Sequence, residues 1–116
     1  MKLKLNLTTQ DRLDILTDAI ETGAIAYWAN DYGPITIERN QDLDITQAKF
    51  SANNAAGEKT DYIVNAETIQ AGINRILEPG FEINPEIIDQ IVAGDNDDQS
   101  CDCIIQAALF GQLVYG

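Results

Sequence analysis

The chain has 116 residues, and 19 acidic against seven basic residues give it a net charge of −12 without any histidine. This length fits one domain with one hydrophobic core, so we expect residues 1–116 to fold as a single domain. So strong a negative charge repels nucleic acid and anionic membrane surfaces, which argues against direct binding to either. Histidine is the usual general base and the commonest zinc ligand, so we expect a non-catalytic protein without a cofactor.

The N-terminal third predicts one strand, one helix and one hairpin. Leucines alternate with polar residues over 3–7, which indicates a half-buried strand. Thr8 or Thr9 can cap a helix whose apolar spacing continues to Gly23, and Asp11 and Asp14 suit the positive end of its dipole. Residues 24–29 and 35–37 are rich in β-formers and predict a hairpin across the turn at 31–34. A helical continuation through Tyr27 and Trp28 is the competing interpretation.

The middle of the chain predicts two further strands and a loop. Residues 45–50 and 61–64 are rich in β-formers, and residues 51–59 between them contain Asn-Asn-Ala-Ala-Gly, which is typical of an exposed loop. Asn65 then caps a predicted helix that ends before Pro79.

The C-terminal third predicts two more helices. Asn84-Pro85-Glu86 is a typical helix start, and Gly94 stops that helix. Residues 95–98 form a turn or begin the last helix, whose segment 103–109 is apolar on nearly every side. That helix is therefore buried in the domain or in an oligomer interface. The fold class predicted is α+β, with an antiparallel sheet of about four strands packed against about four helices in the order β-α-β-β-β-α-α-α.

Negative charge is concentrated in the last third of the chain. Arg75 is the last basic residue, and eight acidic residues follow it. Seven of them are candidate partner-binding residues that would present charge to a basic surface: Glu82, Glu86, Asp89, Asp95, Asp97, Asp98 and Asp102. Tyr27, Trp28 and Tyr32 form an aromatic cluster that either packs in the core or anchors such a contact.

Three further sequence patterns are weaker indications of a metal, thiol or carboxylate site. Cys101-x-Cys103 is too closely spaced for a good disulfide and lacks further Cys or His ligands for zinc, so we expect reduced thiols in a cytosol. The Asp-rich segment 95–98 fails the EF-hand pattern, because Ser100 and Gln106 stand where Gly and Glu belong. Carboxylates of Asp42, Asp44 and Asp61 could converge in a small enzyme or small-molecule site, although a solvated loop explains them better.

Two segments carry a resemblance. Residues 19–29 follow A-I-E-x-G-x-x-x-Y-W-A, and residues 105–116 contain Q-x-A-L-F-G-x-x-V-Y-G. In both, the chain resembles a group of short acidic proteins encoded by bacteriophages, plasmids and other mobile elements. The resemblance implies a small protein in the cytoplasm of a bacterial host, and it assigns no catalytic residues.

Three functions fit these patterns. The leading hypothesis is an acidic inhibitor, of anti-CRISPR or anti-restriction type, that binds the basic groove of a host defence complex, as a DNA mimic would. The second is a regulatory adaptor of a phage or plasmid that forms a homodimer through its apolar last helix. The third is the small carboxylate-based enzyme or binder. The partner expected first is a basic surface of a host protein or nucleoprotein complex.

Overall fold

The computed structural model describes residues 5–116 and confirms the α+β class. Three strands and five helices lie within that range, where the sequence predicted about four of each. The order along the chain is α1 (Thr9–Glu21), α2 (Ala26–Ala29), β1 (Thr36–Arg39), β2 (Ile45–Asn53), β3 (Lys59–Asn65), α3 (Ala66–Ile76), α4 (Pro85–Ala93) and α5 (Asp98–Phe110).

The N-terminal segment does not form the predicted strand in its described part. Residues 1–4 lie outside the described residues, and residues 5–8 have no strand geometry. Gln70 of α3 takes the place of a neighbouring strand: its side chain accepts a hydrogen bond from Leu7 N at 3.2 Å and donates to Leu5 O at 2.8 Å. Thr8 is the cap of α1, because its hydroxyl accepts a bond from Asp11 N.

The predicted strand over residues 24–29 is wrong. Gly23 ends the α1 region with a φ of +77°, and the chain then forms the short helix α2. Its Trp28 and Ala29 are fully buried, while Tyr27 turns outward. This burial, and not local β-propensity, selects the helical geometry. The competing helical interpretation was therefore closer, although α2 is a separate helix.

The sheet is antiparallel throughout, with the strand order β1-β2-β3. Ala48, Phe50 and Ala52 of β2 face the core, and Val64 of β3 lies on the same face. Strand β2 continues to Asn53, and β3 already begins at Lys59. The actual loop is therefore only the central part of the predicted loop 51–59.

The helix ends follow the capping residues closely. Asn65 caps α3 in a reciprocal pair with Thr68, and Asn84 precedes Pro85 at the first position of α4. Gly94 closes α4 with a left-handed φ of +77°. Asp97 caps α5 through the backbone N–H of Ser100, so the acidic segment 95–98 leads into the last helix.

Helix α5 is the centre of the core. Every residue from Ser100 to Ala107 is buried, which confirms that its apolar surface is covered within the domain. Gly72 of α3 allows the closest approach, because a Cβ there would lie 2.0 Å from Ile104 O. None of the helices within residues 5–116 is long and apolar enough to cross a membrane.

Candidate binding surfaces

One side of α1 carries a row of carboxylates. Asp11, Asp14 and Asp18 are exposed and stand three and four residues apart, which places them on the same side of the helix. They border a shallow hollow whose other wall is Gly94 and Asn96, in the connection between α4 and α5. The row therefore adjoins the acidic start of the last helix.

The carboxylates of α1 and α5 are close enough to act on one another. The pKa of Asp18 is raised above its usual value by partial burial and by the negative charges of Asp14, Glu21 and Asp98. We name Asp11, Asp14, Asp18, Asp97 and Asp98 the acidic face. It joins residues from both ends of the chain.

Cations do not neutralise this face within the described chain. The two ion pairs among residues 5–116 join Arg39 to Glu21 and Arg75 to Glu78, outside the acidic face. Arg12 of α1 is half-buried and forms no ion pair with a described residue. The acidic face thus presents its charges to solvent.

The seven acidic candidates do not share one surface. Asp97 and Asp98 belong to the acidic face, and Asp95 is exposed next to it in the same connection. Glu86 and Asp89 are exposed on α4, whereas Glu82 borders a separate hollow with Arg75. Asp102 is only 9% exposed, so it cannot display its charge as predicted.

Sequence reasoning missed the contribution of α1. Asp11 and Asp14 were interpreted only as partners of the helix dipole, and Asp18 was not singled out. Their spacing already predicted a shared side of α1. What the spacing could not reveal is that this side lies beside the start of α5.

The three aromatic candidates have different positions. Trp28 is fully buried, where its ring stacks on Tyr115 with centroids 5.2 Å apart. It cannot anchor a partner. Tyr32 is 48% exposed at the far end of the β2–β3 hairpin, with its hydroxyl bonded to Asn53. Tyr27 is 54% exposed and belongs to the polar network described next.

Asp102 is the centre of a buried polar network. Its carboxylate accepts hydrogen bonds from Tyr27 Oη at 2.5 Å, Trp28 Nε1 at 2.9 Å and Gln106 Nε2 at 2.9 Å. Burial, and then the bond to Asp102, raise the pKa of the Tyr27 hydroxyl, which keeps it protonated as a donor. The network fixes α2 against α5.

Gln106 attaches the C-terminal segment to the same network. Its side-chain oxygen accepts bonds from the backbone N–H groups of Val114 and Tyr115, each at 2.8 Å, and its nitrogen donates to Tyr115 O. Asp102 and Gln106 stand four residues apart on α5, so one side of this helix binds both partners. Segments 19–29 and 105–116 therefore meet at this network.

A cleft of about 900 Å³ opens beside the network. Tyr27 and Asp98 border it together with Ile87 of α4 and the segment Leu113–Tyr115. No Lys or Arg of residues 5–116 lines it. The cleft thus combines apolar walls with negative charge only.

Other candidate chemistry is not assembled in the described residues. Burial raises the pKa of Cys101 to about 12 and that of Cys103 to about 11, with nearby carboxylates adding to the effect, so neither is a reactive thiolate at neutral pH. Asp42 and Asp44 lie before β2, whereas Asp61 pairs with Ser51 six residues along it, a distance of about 20 Å. These carboxylates do not converge.

Comparison with known proteins adds no relative. Neither a family model, nor a curated protein, nor a solved structure matches this chain. The acidic face and the cleft are therefore the features of the molecule from which a function can be inferred.

Proposed function

We propose that the protein is a non-catalytic inhibitor that binds the basic surface of a host defence complex through its acidic face. The partner is a nuclease or nucleoprotein complex of CRISPR or restriction type, whose DNA-binding groove the protein occupies in the cytoplasm of a bacterial host. A DNA-binding groove is lined by Lys and Arg, and a compact polyanion competes for it by the same electrostatic attraction.

The observation that carries this proposal is the acidic face itself. Its five carboxylates come from α1 and α5, and no described cation pairs with them. Partial burial, and then the like charges of its neighbours, raise the pKa of Asp18, and this crowding of carboxylates costs stability. A rigid, uncompensated anionic surface favours fast association with a cationic partner.

Of the basic residues that the structure describes, Arg12 lies on α1 itself, and it pairs with no described carboxylate. Arg39 pairs with Glu21 at the end of α1, whereas Lys49 and Lys59 lie on the sheet and Arg75 lies on α3. The unpaired carboxylates of the acidic face would attract a basic groove.

The two alternative functions have less support. The homodimer was inferred from the apolar last helix, and that helix is already covered within one chain, so a dimer through it would require the core to open. The carboxylate enzyme needs Asp42, Asp44 and Asp61 together, and they lie at opposite ends of β2.

DNA-cleavage assays test the proposal. Purified restriction enzymes and CRISPR effector complexes are assayed on labelled DNA with increasing amounts of the protein, at several salt concentrations. We expect dose-dependent inhibition of DNA binding in at least one system, and we expect it to weaken as salt rises, because salt screens the exposed charges. Inhibition should be reduced at least tenfold in the triple variant Asp11→Asn, Asp14→Asn, Asp18→Asn.

The matched control changes the same number of charges elsewhere. Glu58→Gln, Asp61→Asn and Asp89→Asn alter exposed residues outside the acidic face and should retain inhibition within about threefold. Equal losses in both triple variants would mean that net charge alone acts. Unaffected cleavage in every system, or inhibition indifferent to salt, would contradict the proposal.

A further inference from the structure

The cleft beside Tyr27 has features that the acidic face does not explain. It is a broad cleft open to solvent, with a volume of about 900 Å³, and its walls are partly apolar. Its volume exceeds that of one side chain, so it can accept a residue with part of its flanking backbone.

The ring of Tyr27 is held rigidly at the edge of this cleft. Its hydroxyl donates to Asp102 at 2.5 Å, yet 54% of the residue remains exposed. Asp102 already accepts three hydrogen bonds, so its role is to orient Tyr27. An exposed aromatic ring fixed in this way is prepared for stacking and cation–π contact.

The free carboxylate of the cleft is that of Asp98. It is exposed at the first turn of α5, and it accepts none of the side-chain hydrogen bonds formed among residues 5–116. The anion-binding potential of this helix start is already used, because Asp97 accepts from the backbone N–H of Ser100. A cation therefore fits the cleft better than an anion does.

We propose that this cleft binds an arginine side chain from a short segment of the partner protein. The guanidinium pairs with Asp98 and stacks on Tyr27, and its aliphatic stem packs on Ile87 and Val114. Arginine fits better than lysine, because a planar guanidinium combines carboxylate pairing with aromatic stacking. The inference rests on the proposed function, since it supplies a specific anchor for a basic partner.

A pair of capped tripeptides tests the cleft without any partner protein. Acetyl-Gly-Arg-Gly-amide and its citrulline isostere have nearly the same shape, and only the first is charged. Both are titrated into the full chain labelled with ¹⁵N, and binding is followed by amide chemical shifts. We expect the arginine peptide to bind at least tenfold more tightly, with the largest shifts in residues 24–28, 98–103 and 113–115.

Two single variants make the assignment residue-specific. Asp98→Asn should weaken binding of the arginine peptide at least fivefold, whereas Asp89→Asn, an equal charge change outside the cleft, should stay within twofold of the wild type. Tyr27→Phe keeps the ring and should retain more affinity than Tyr27→Ala. Chemical-shift dispersion in the same spectra verifies that each variant is folded.

The outcomes separate this inference from the proposed function. Equal binding of the citrulline peptide, equal binding of the same tripeptide with Lys in place of Arg, or shifts confined to residues 11–18 would overturn the arginine site and leave the inhibitor proposal standing. Arginine-specific binding in the cleft without inhibition in any cleavage assay would uphold the site and count against the inhibitor. Equal losses in Asp98→Asn and Asp89→Asn would also overturn the site.

Discussion

Replacing Asp102 distinguishes a buried structural carboxylate from a displayed charge. In Asp102→Ala the indole N–H of Trp28, which is fully buried, loses its acceptor. An unsatisfied buried donor costs about 1–3 kcal/mol, and the lost packing adds to this. Tyr27 is half-exposed and can bond to water, and Gln106 keeps Tyr115 O, so these two residues add little. We expect a total loss of roughly 3 kcal/mol in the free energy of unfolding.

Asp102→Asn provides the matched comparison. Its amide oxygen can still accept from Trp28 and Gln106, and its nitrogen can donate to the Tyr27 oxygen, so the loss should be about 1 kcal/mol. Urea unfolding followed by the fluorescence of Trp28, the single tryptophan, measures both variants. Asp95→Ala and Asp95→Asn serve as exposed controls, with changes of about 0.5 kcal/mol or less. A free energy of unfolding for Asp102→Ala within about 1 kcal/mol of the wild type would instead mean that Asp102 behaves as a surface carboxylate.

Three further predictions concern packing, charge and thiol chemistry. Helix propensity alone would make Gly72→Ala stabilising by about 1 kcal/mol, but the approach to Ile104 O should reverse the sign and lower the melting temperature by several degrees in a thermal scan. Because the pKa of Asp18 is raised in the folded protein, its protonated form stabilises the fold at low pH, and this stability is lost as pH rises through the folded pKa. The free energy of unfolding of Asp18→Asn, measured with urea, should therefore exceed that of the wild type by about 0.5 kcal/mol at pH 7 after solvent screening, and should equal it at pH 3. Cys101 and Cys103 should react with a thiol reagent at pH 8 at least a hundredfold more slowly in the native than in the urea-unfolded protein, and equal rates would contradict their burial.

The parts of the fold predicted well depend on local chemistry. The caps at Thr8, Asn65 and Asn84 and the stop at Gly94 act within one helical turn, so the sequence contains all the information that they need. Strands β2 and β3 were located for the same reason, through their β-forming residues. Only their ends were misjudged, because pairing extends them beyond the β-rich segments.

The errors concern residues whose environment is set by distant parts of the chain. Segment 24–29 is rich in β-formers, but the buried contacts of Trp28 with Phe50, Phe110 and Tyr115 favour the helix α2. Asp102 was grouped with the surface acids because its partners on α2 are about 75 residues earlier in the chain. Local composition does not reveal such long-range contacts.

The sequence predicted the sign of the charge at the candidate site, but it did not predict where the site lies. The excess of acid after Arg75 indicated an anionic surface, and Asp97 and Asp98 do contribute to one. The other three members of the acidic face come from α1, which packs beside the start of α5. The cleft could not be predicted, because its walls come from α2, α4, α5 and the C-terminal segment.

Titration with a polycation locates the anionic binding surface of the folded protein. Hexalysine is added to the ¹⁵N-labelled full chain, first at low salt and then with added NaCl. We expect amide shifts concentrated at residues 11–18 and 95–98, and we expect them to disappear as salt screens the charges. Shifts spread evenly over all exposed acidic residues, or concentrated away from α1 and the start of α5, would show that the acidic face is not a distinct binding surface.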